Sequence, residues 1–218
     1  MSAAAQFALS DEEVTLLARM AGLPGFPAAR ALQLGAAGWV AVGRALAARS
    51  ILHGGAEPVV AAEVAAVLDV VLFAEGALWC NVDHPPGEGE DRAEVLWFAG
   101  DAIVRHTLSP SGVHEFAVSD NPAIDDLLAA VPEQTSPQPA ASQELSESDW
   151  QAARAAARVT ITLHALRGTD HASLTLVDCA QHGLCGARVD ASGAVVLERL
   201  DAEGARARLG ALAGSVGR

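Results

Sequence analysis

The sequence predicts an α+β fold: a central antiparallel β-sheet made of two pseudo-two-fold-related halves, flanked by α-helices. Three observations carry that expectation. The spacing of apolar residues changes from helical to alternating near Leu78. The corner "SPSGVHEFAVSD" (109–120) returns as "DASGAVVLERLD" (190–201), with Ser111-Gly112 falling on Ser192-Gly193 and Asp120 on Asp201, displaced by 81 positions. The helix opening "LSDEEV" also returns, as "LSESDW". A single Ser-Gly turn would mean little, but a series of elements repeated in the same order points to two copies of one unit.

The first half, residues 1–131, opens with a helix over 10–21. Ser10 and Glu13 stand at capping-box spacing, Val14, Leu17 and Met20 recur at helical period, and Gly22 stops the helix. After the turn "LPGFP", the Ala-rich run 28–49 is expected to form a second helix, with Gly35, Gly38 and Gly43 opposing it. A third, over 59–74, has Val64, Val67, Leu68, Val71 and Leu72 as its buried stripe. Strands then occupy 78–118, in the runs 78–83, 94–98, 103–108 and 113–118, and the acidic loop "HPPGEGEDR" joins the first two. Asp120 and Asn121 cap a helix over 120–131, with Pro122 in its first turn.

Residues 132–145 are rich in proline and poor in apolar bulk, and read as a linker. The second half, 146–218, begins with a helix capped by Ser146. Strands follow over 159–166, 173–177, 184–189 and 194–199, and Asp201 caps a last helix. Both halves are expected to share one sheet.

Composition narrows the function classes. The 218 residues are 51% apolar and 4% aromatic, which is globular composition. A net charge of −13 argues against nucleic acid, whose binding draws on cationic contacts to phosphates. All 14 basic residues are Arg, scattered without a stripe, and the lack of Lys suggests a GC-rich, actinobacterial type of genome. The N-terminus lacks the basic start and apolar core of a signal peptide, and the run 58–76 is too short and too charged for a bilayer span. With three cysteines, an odd number, reduced thiols in a cytoplasmic protein are expected.

The chain has no G-x-S-x-G elbow, H-E-x-x-H pair or P-loop. In "CAQHGLC", Cys179, His182 and Cys185 could fill three of zinc's four positions, with His171 or His164 as the fourth. No second ligand pair follows, so a surface turn flanked by two buried cysteines is the expected reading. Asp83-His84 and Asp170-His171 are expected to be solvated pairs at strand ends. Trp39, Trp79, Trp97 and Trp150 read as core or half-buried anchors, Trp97 and Trp79 also as markers of a binding face. Residues 10–52 admit a winged-helix reading, which the acidic balance opposes. No catalytic, cofactor or metal residue is expected, and the chain is read as a non-enzyme.

In "FALSDEEVTLLARMAGLP", "AVGRALAARSIL", "EPVVAAEVAAVLDVVLFAEGALWCNVD" and "GARVDASGAVVLERLDAEGARARLGALAG", the chain resembles the ESX (type VII) secretion-associated chaperone family, EspG. The resemblance implies a cytosolic, non-enzymatic protein that binds a secreted helical substrate, PE/PPE-like or WXG100-like, and keeps it soluble for export. It implies no cofactor, no nucleic acid and no membrane insertion, and leaves a homodimer open. A two-part sheet suits such a role physically, since its groove and edges can take a helical or extended segment. Glu88, Glu90, Asp91 and Arg92 of the acidic loop, with Trp97, are the candidate contacts.

Overall fold

The computed structural model describes residues 6–30, 32–55, 57–88, 91–119, 143–189 and 193–216. The expected helix 120–131 and nearly all of the linker lie outside these residues. The chain divides into two compact units, residues 1–74 with 97–120 and residues 75–96 with 121–218.

In the first unit, β1 (Gln6–Ser10) runs directly into α1 (Asp11–Met20). Ser10 has the extended backbone of an N-cap; its hydroxyl accepts from the Glu13 amide while the Glu13 carboxylate accepts from the Ser10 amide. This reciprocal cap contributes about 1 kcal/mol. Arg49 donates to both Glu13 oxygens, at 2.8 and 2.9 Å, so the same carboxylate ties the end of the second helix to the start of the first.

That second helix, α2 (Ala36–Ala48), starts well after the expected residue 28. Pro27 lacks an amide donor and Ala28 takes φ +65°, which no right-handed helix continues through. The chain turns helical only after the extended Gly35. Two short strands unseen in the sequence, β2 (Leu52–His53) and β3 (Val59–Val60), pair with each other. They take the first two residues from the expected helix 59–74, leaving α3 (Ala62–Leu72), whose Val64, Val67, Leu68 and Val71 are buried as anticipated.

The rest of this unit is β-structure. β6 (Ala102–Leu108) pairs antiparallel with β7 (Val113–Ser119), and β7 with β1, from Gln6 opposite Ala117 to Ser10 opposite Val113. The β6–β7 corner closes at Gly112, φ +78°, where an added methyl would run into the Asp11 carboxylate.

The second unit contains β4 (Gly76–Asp83), β8 (Gln143–Glu144), α4 (Glu147–Ala155), β9 (Ala157–Arg167), β10 (Asp170–Cys179), β11 (Gly183–Val189), β12 (Val195–Leu200) and α5 (Ala202–Gly214). Ser146 caps α4 by accepting from the Asp149 amide, and Asp201 caps α5 by accepting from Gly204 at 2.6 Å. Trp150 of α4 packs with Val177, Cys179 and Cys185. The division between the units falls inside β5 (Arg92–Ala99).

Strand order in the ten-stranded sheet is β1-β7-β6-β5-β4-β9-β10-β11-β12-β8. Read from either end, corresponding elements of the two halves appear in the same sequence: β1 answers β8, β7 answers β12, β6 answers β11, β5 answers β10, and β4 meets β9. β6 and β11 have the same length and lie 81 positions apart, the displacement expected from the corners. At the centre, Asn81 sits opposite Thr162, again 81 positions on.

Candidate functional site

The register across the second unit sorts its side chains onto two faces, because directly opposed residues of antiparallel strands share a face. One row runs from Asn81 through Thr162, Thr175 and Ala187 to Leu197. At its outer end, Ala187 and Leu197 pack against the cluster beneath α4. The neighbouring row has Trp79 opposite His164, His164 opposite Ser173, and Val189 opposite Val195. Its apolar members are poorly covered: Val189 is 46% exposed and Val195 65%, and Leu166 two residues beyond His164 is 39% exposed. These apolar side chains are partly bare, on the same face as the polar His164, His171 and Ser173.

The first half shows what covers the position that corresponds to Val195. The displacement of 81 sets Val195 at the place of His114, Leu197 at that of Phe116 and Ala187 at that of His106. In the first half these positions form a buried polar chain. Trp97 donates its indole N–H to His106 Nδ1 (3.3 Å), His106 Nε2 meets His114 Nδ1 (2.8 Å), and His114 Nε2 meets Asp11 Oδ1 (2.9 Å).

The indole can only donate, so His106 Nδ1 must accept and the His106 proton lies on Nε2. That proton goes to His114 Nδ1, and the His114 Nε2–H goes to the carboxylate. Both imidazoles are therefore neutral, and every ring nitrogen of the chain is engaged. Burial, and then the neighbouring His114, push the His106 pKa down from 6.5 to about 3. Burial works against the Asp11 carboxylate, but hydrogen bonds from His114 and the Arg30 amide outweigh it and hold its pKa below the ordinary value.

Phe26 roofs this chain, its ring edge-on to His106, His114 and Phe116 at 5.8–5.9 Å. Phe26 belongs to the long connection between α1 and α2. The second half has no such connection, since α4 ends at Ala155 and β9 begins at Ala157. Lacking a roof, the position of His114 is filled by an exposed valine. An Asp-His-His series resembles a proton relay, but His106 and His114 are 0% and 1% exposed with all ring nitrogens engaged. Its role is architectural, fastening the start of α1 to β5, β6 and β7.

The sequence-predicted residues are placed as follows. Trp97 lies in the core at 6% exposure and not on a binding face. Asp91 and Glu88 are exposed on the β4–β5 loop, which is closed by the His84 amide donating to Asp91 Oδ1 at 2.9 Å. Arg92 is turned inward to pair with the buried Glu94 carboxylate. Glu90 lies outside the described residues.

Cys179 and Cys185 are fully buried on either side of the turn containing His182, whose amide donates to Cys179 Sγ and whose ring faces Arg199. Burial, with Cys179 next, pushes the Cys185 thiol up to about 11, which keeps it protonated. His164 and His171 pair with each other, eight residues along β10 from Cys179 in the case of His171, so they do not join that turn. Among the described residues no group of three or more His, Cys, Asp or Glu is arranged to hold a metal ion. The winged-helix reading also fails, because α1 and α2 are separated by residues 21–35 where a helix-turn-helix has a turn of about 3–4 residues.

By sequence, the chain matches no family model and no curated protein. By structure, it superposes on the Mycobacterium tuberculosis type VII secretion system chaperone EspG5, solved in complex with a PE25-PPE41 dimer. The TM-score is 0.67 over 97% of each chain, at 11% sequence identity. The two proteins share a fold. At that identity the match extends to architecture, and it agrees with the α+β sheet of two related halves expected from the sequence. Among the described residues no helix is long and apolar enough to cross a membrane.

Proposed function

We propose that this protein is a cytoplasmic, non-enzymatic chaperone that binds a helical protein destined for type VII secretion and keeps it soluble. The observation that carries the reading is the exposure of the apolar side chains Leu166, Val189 and Val195 on one face of the sheet, Val195 standing where the other half has the roofed His114. Apolar side chains left open on the face of a sheet are suited to contact with an apolar partner. The shared fold with a chaperone solved with a PE25-PPE41 dimer favours a PE/PPE-like client over a WXG100-like one.

Two related halves are read as an internal duplication in which one copy kept its cover and the other lost it. Glu88 and Asp91, exposed on the β4–β5 loop at the other end of these strands, are proposed as separate polar contacts. The net charge of −13 keeps the unliganded chain dispersed.

Co-expression with a PE/PPE pair encoded beside the gene tests this directly. A soluble complex should form, and Val189→Asp with Val195→Asp should abolish it, since both side chains already face solvent and the free chain tolerates the change. Recovery of the complex with the doubly substituted chain would remove this surface from consideration. Failure of any PE/PPE pair to co-purify would remove the client.

A further inference from the structure

We propose that His164 and His171 form a two-histidine site for a transition-metal dication of the imidazole-preferring class. The two side chains come from adjacent strands, β9 and β10, on the same face. His164 Nδ1 and His171 Nε2 are 3.2 Å apart, with the rings 18° from parallel and their centroids at 5.4 Å. Two imidazole nitrogens on one ion, each at about 2.0–2.1 Å and subtending an angle between square-planar and tetrahedral values, are separated by about 2.9–3.4 Å. The pair therefore already has the bite that coordination demands.

One proton now lies between the facing nitrogens. When the ion binds, that proton is lost from the shared line and the ring that carried it is protonated instead on its outward nitrogen. Two neutral imidazoles then present lone pairs to the metal and no net proton is released. Each outward nitrogen has room for this, because His164 is only half-buried and His171 is exposed. Water completes the coordination. Imidazole donors suit Cu²⁺, Ni²⁺ and Zn²⁺, and affinity rises along the series to Cu²⁺.

The ladder supplies a reporter, since Trp79 of β4 stands directly opposite His164. Tag-free protein is titrated with Cu²⁺ alone, following tryptophan emission and the electron paramagnetic resonance spectrum. One equivalent is expected to bind with nitrogen hyperfine structure, quenching emission in the wild type and far less in Trp79→Phe. His171→Gln, a surface change, should weaken binding by at least the roughly 10–100-fold that loss of mere outer-shell partners costs. His182→Gln, at the cysteine turn, should bind as the wild type does. Unchanged affinity in His171→Gln, or the absence of a saturable one-equivalent phase in the wild type, would overturn the site.

Discussion

Replacing Asp11 by Ala is the sharpest probe of the buried chain that joins α1 to the sheet. The carboxylate accepts from His114 Nε2, whose side chain is 1% exposed, and from the Arg30 amide, which is exposed. In the alanine variant water can serve Arg30 but cannot reach His114. An abandoned buried donor costs about 1–3 kcal/mol. Loss of an acidic group from the first turn of a helix adds about 0.3–1 kcal/mol.

The expected destabilisation is therefore about 1.3–4 kcal/mol. With a urea dependence of about 1–3 kcal/mol per molar, the midpoint should fall by about 0.4 M or more. Asp11→Asn keeps an oxygen in place and should cost about 1 kcal/mol, the part due to charge. Urea titrations of the three chains give the midpoints, and nitrogen-15 spectra of the imidazoles give the tautomers. The reasoning is refuted if the alanine variant unfolds at the wild-type midpoint, or if His106 carries its proton on Nδ1.

Acid should weaken the first unit. The His106 pKa is lowered on folding, so its contribution is complete above 6.5 and lost as pH falls from there toward about 3, and the depressed Asp11 group loses its contribution in the same direction. Urea midpoints measured between pH 7 and 3 should decline, and His106→Gln should flatten the decline. Burial, with Glu94 next, pushes the Cys80 thiol up to about 12, and Cys185 stands near 11, so an aromatic disulfide reagent at pH 8 should leave both untouched until urea is added. Arg208 makes two hydrogen bonds of 2.8 and 2.9 Å to the buried Glu198 carboxylate from a 39% exposed position. Arg208→Met should cost about 1–3 kcal/mol by thermal or chemical denaturation, discounted for that exposure, and adding Glu198→Gln should restore part of it.

The order of strands and caps was legible in the sequence because its determinants are local. A Ser-Gly corner, a serine cap and alternating apolar residues act within a few positions, and the structure returns β6 and β11 at the displacement the corners implied. Helix 28–49 was overextended because composition speaks for Ala-rich helix while Pro27 and the left-handed Ala28 act on the backbone. β1 was missed since five residues give too little alternation, and its pairing with β7 is set across more than a hundred positions. The same distance hid the polar chain: Asp11 and His114 are 103 positions apart, and no spacing rule connects them. The exposed row of Val189 and Val195 needed the register, which apolar periodicity alone does not supply. Trp97, read as a core or half-buried anchor and also as a marker of a binding face, lies in the core, where His106 offers its indole a partner.

The two Ser-Gly corners are not equally free to drift. Gly193, φ +84°, has open space where a side chain would begin, so only backbone angle holds it, and Asn or Asp could inherit the place at modest cost. Gly112 is hemmed in by Asp11 as well, and any larger residue must evict the group that anchors His114. In a library randomised at both corners, survivors should be nearly monomorphic at one and diverse at the other. Of the two similar corners, one is locked by the polar chain beside it and the other remains open to tinkering.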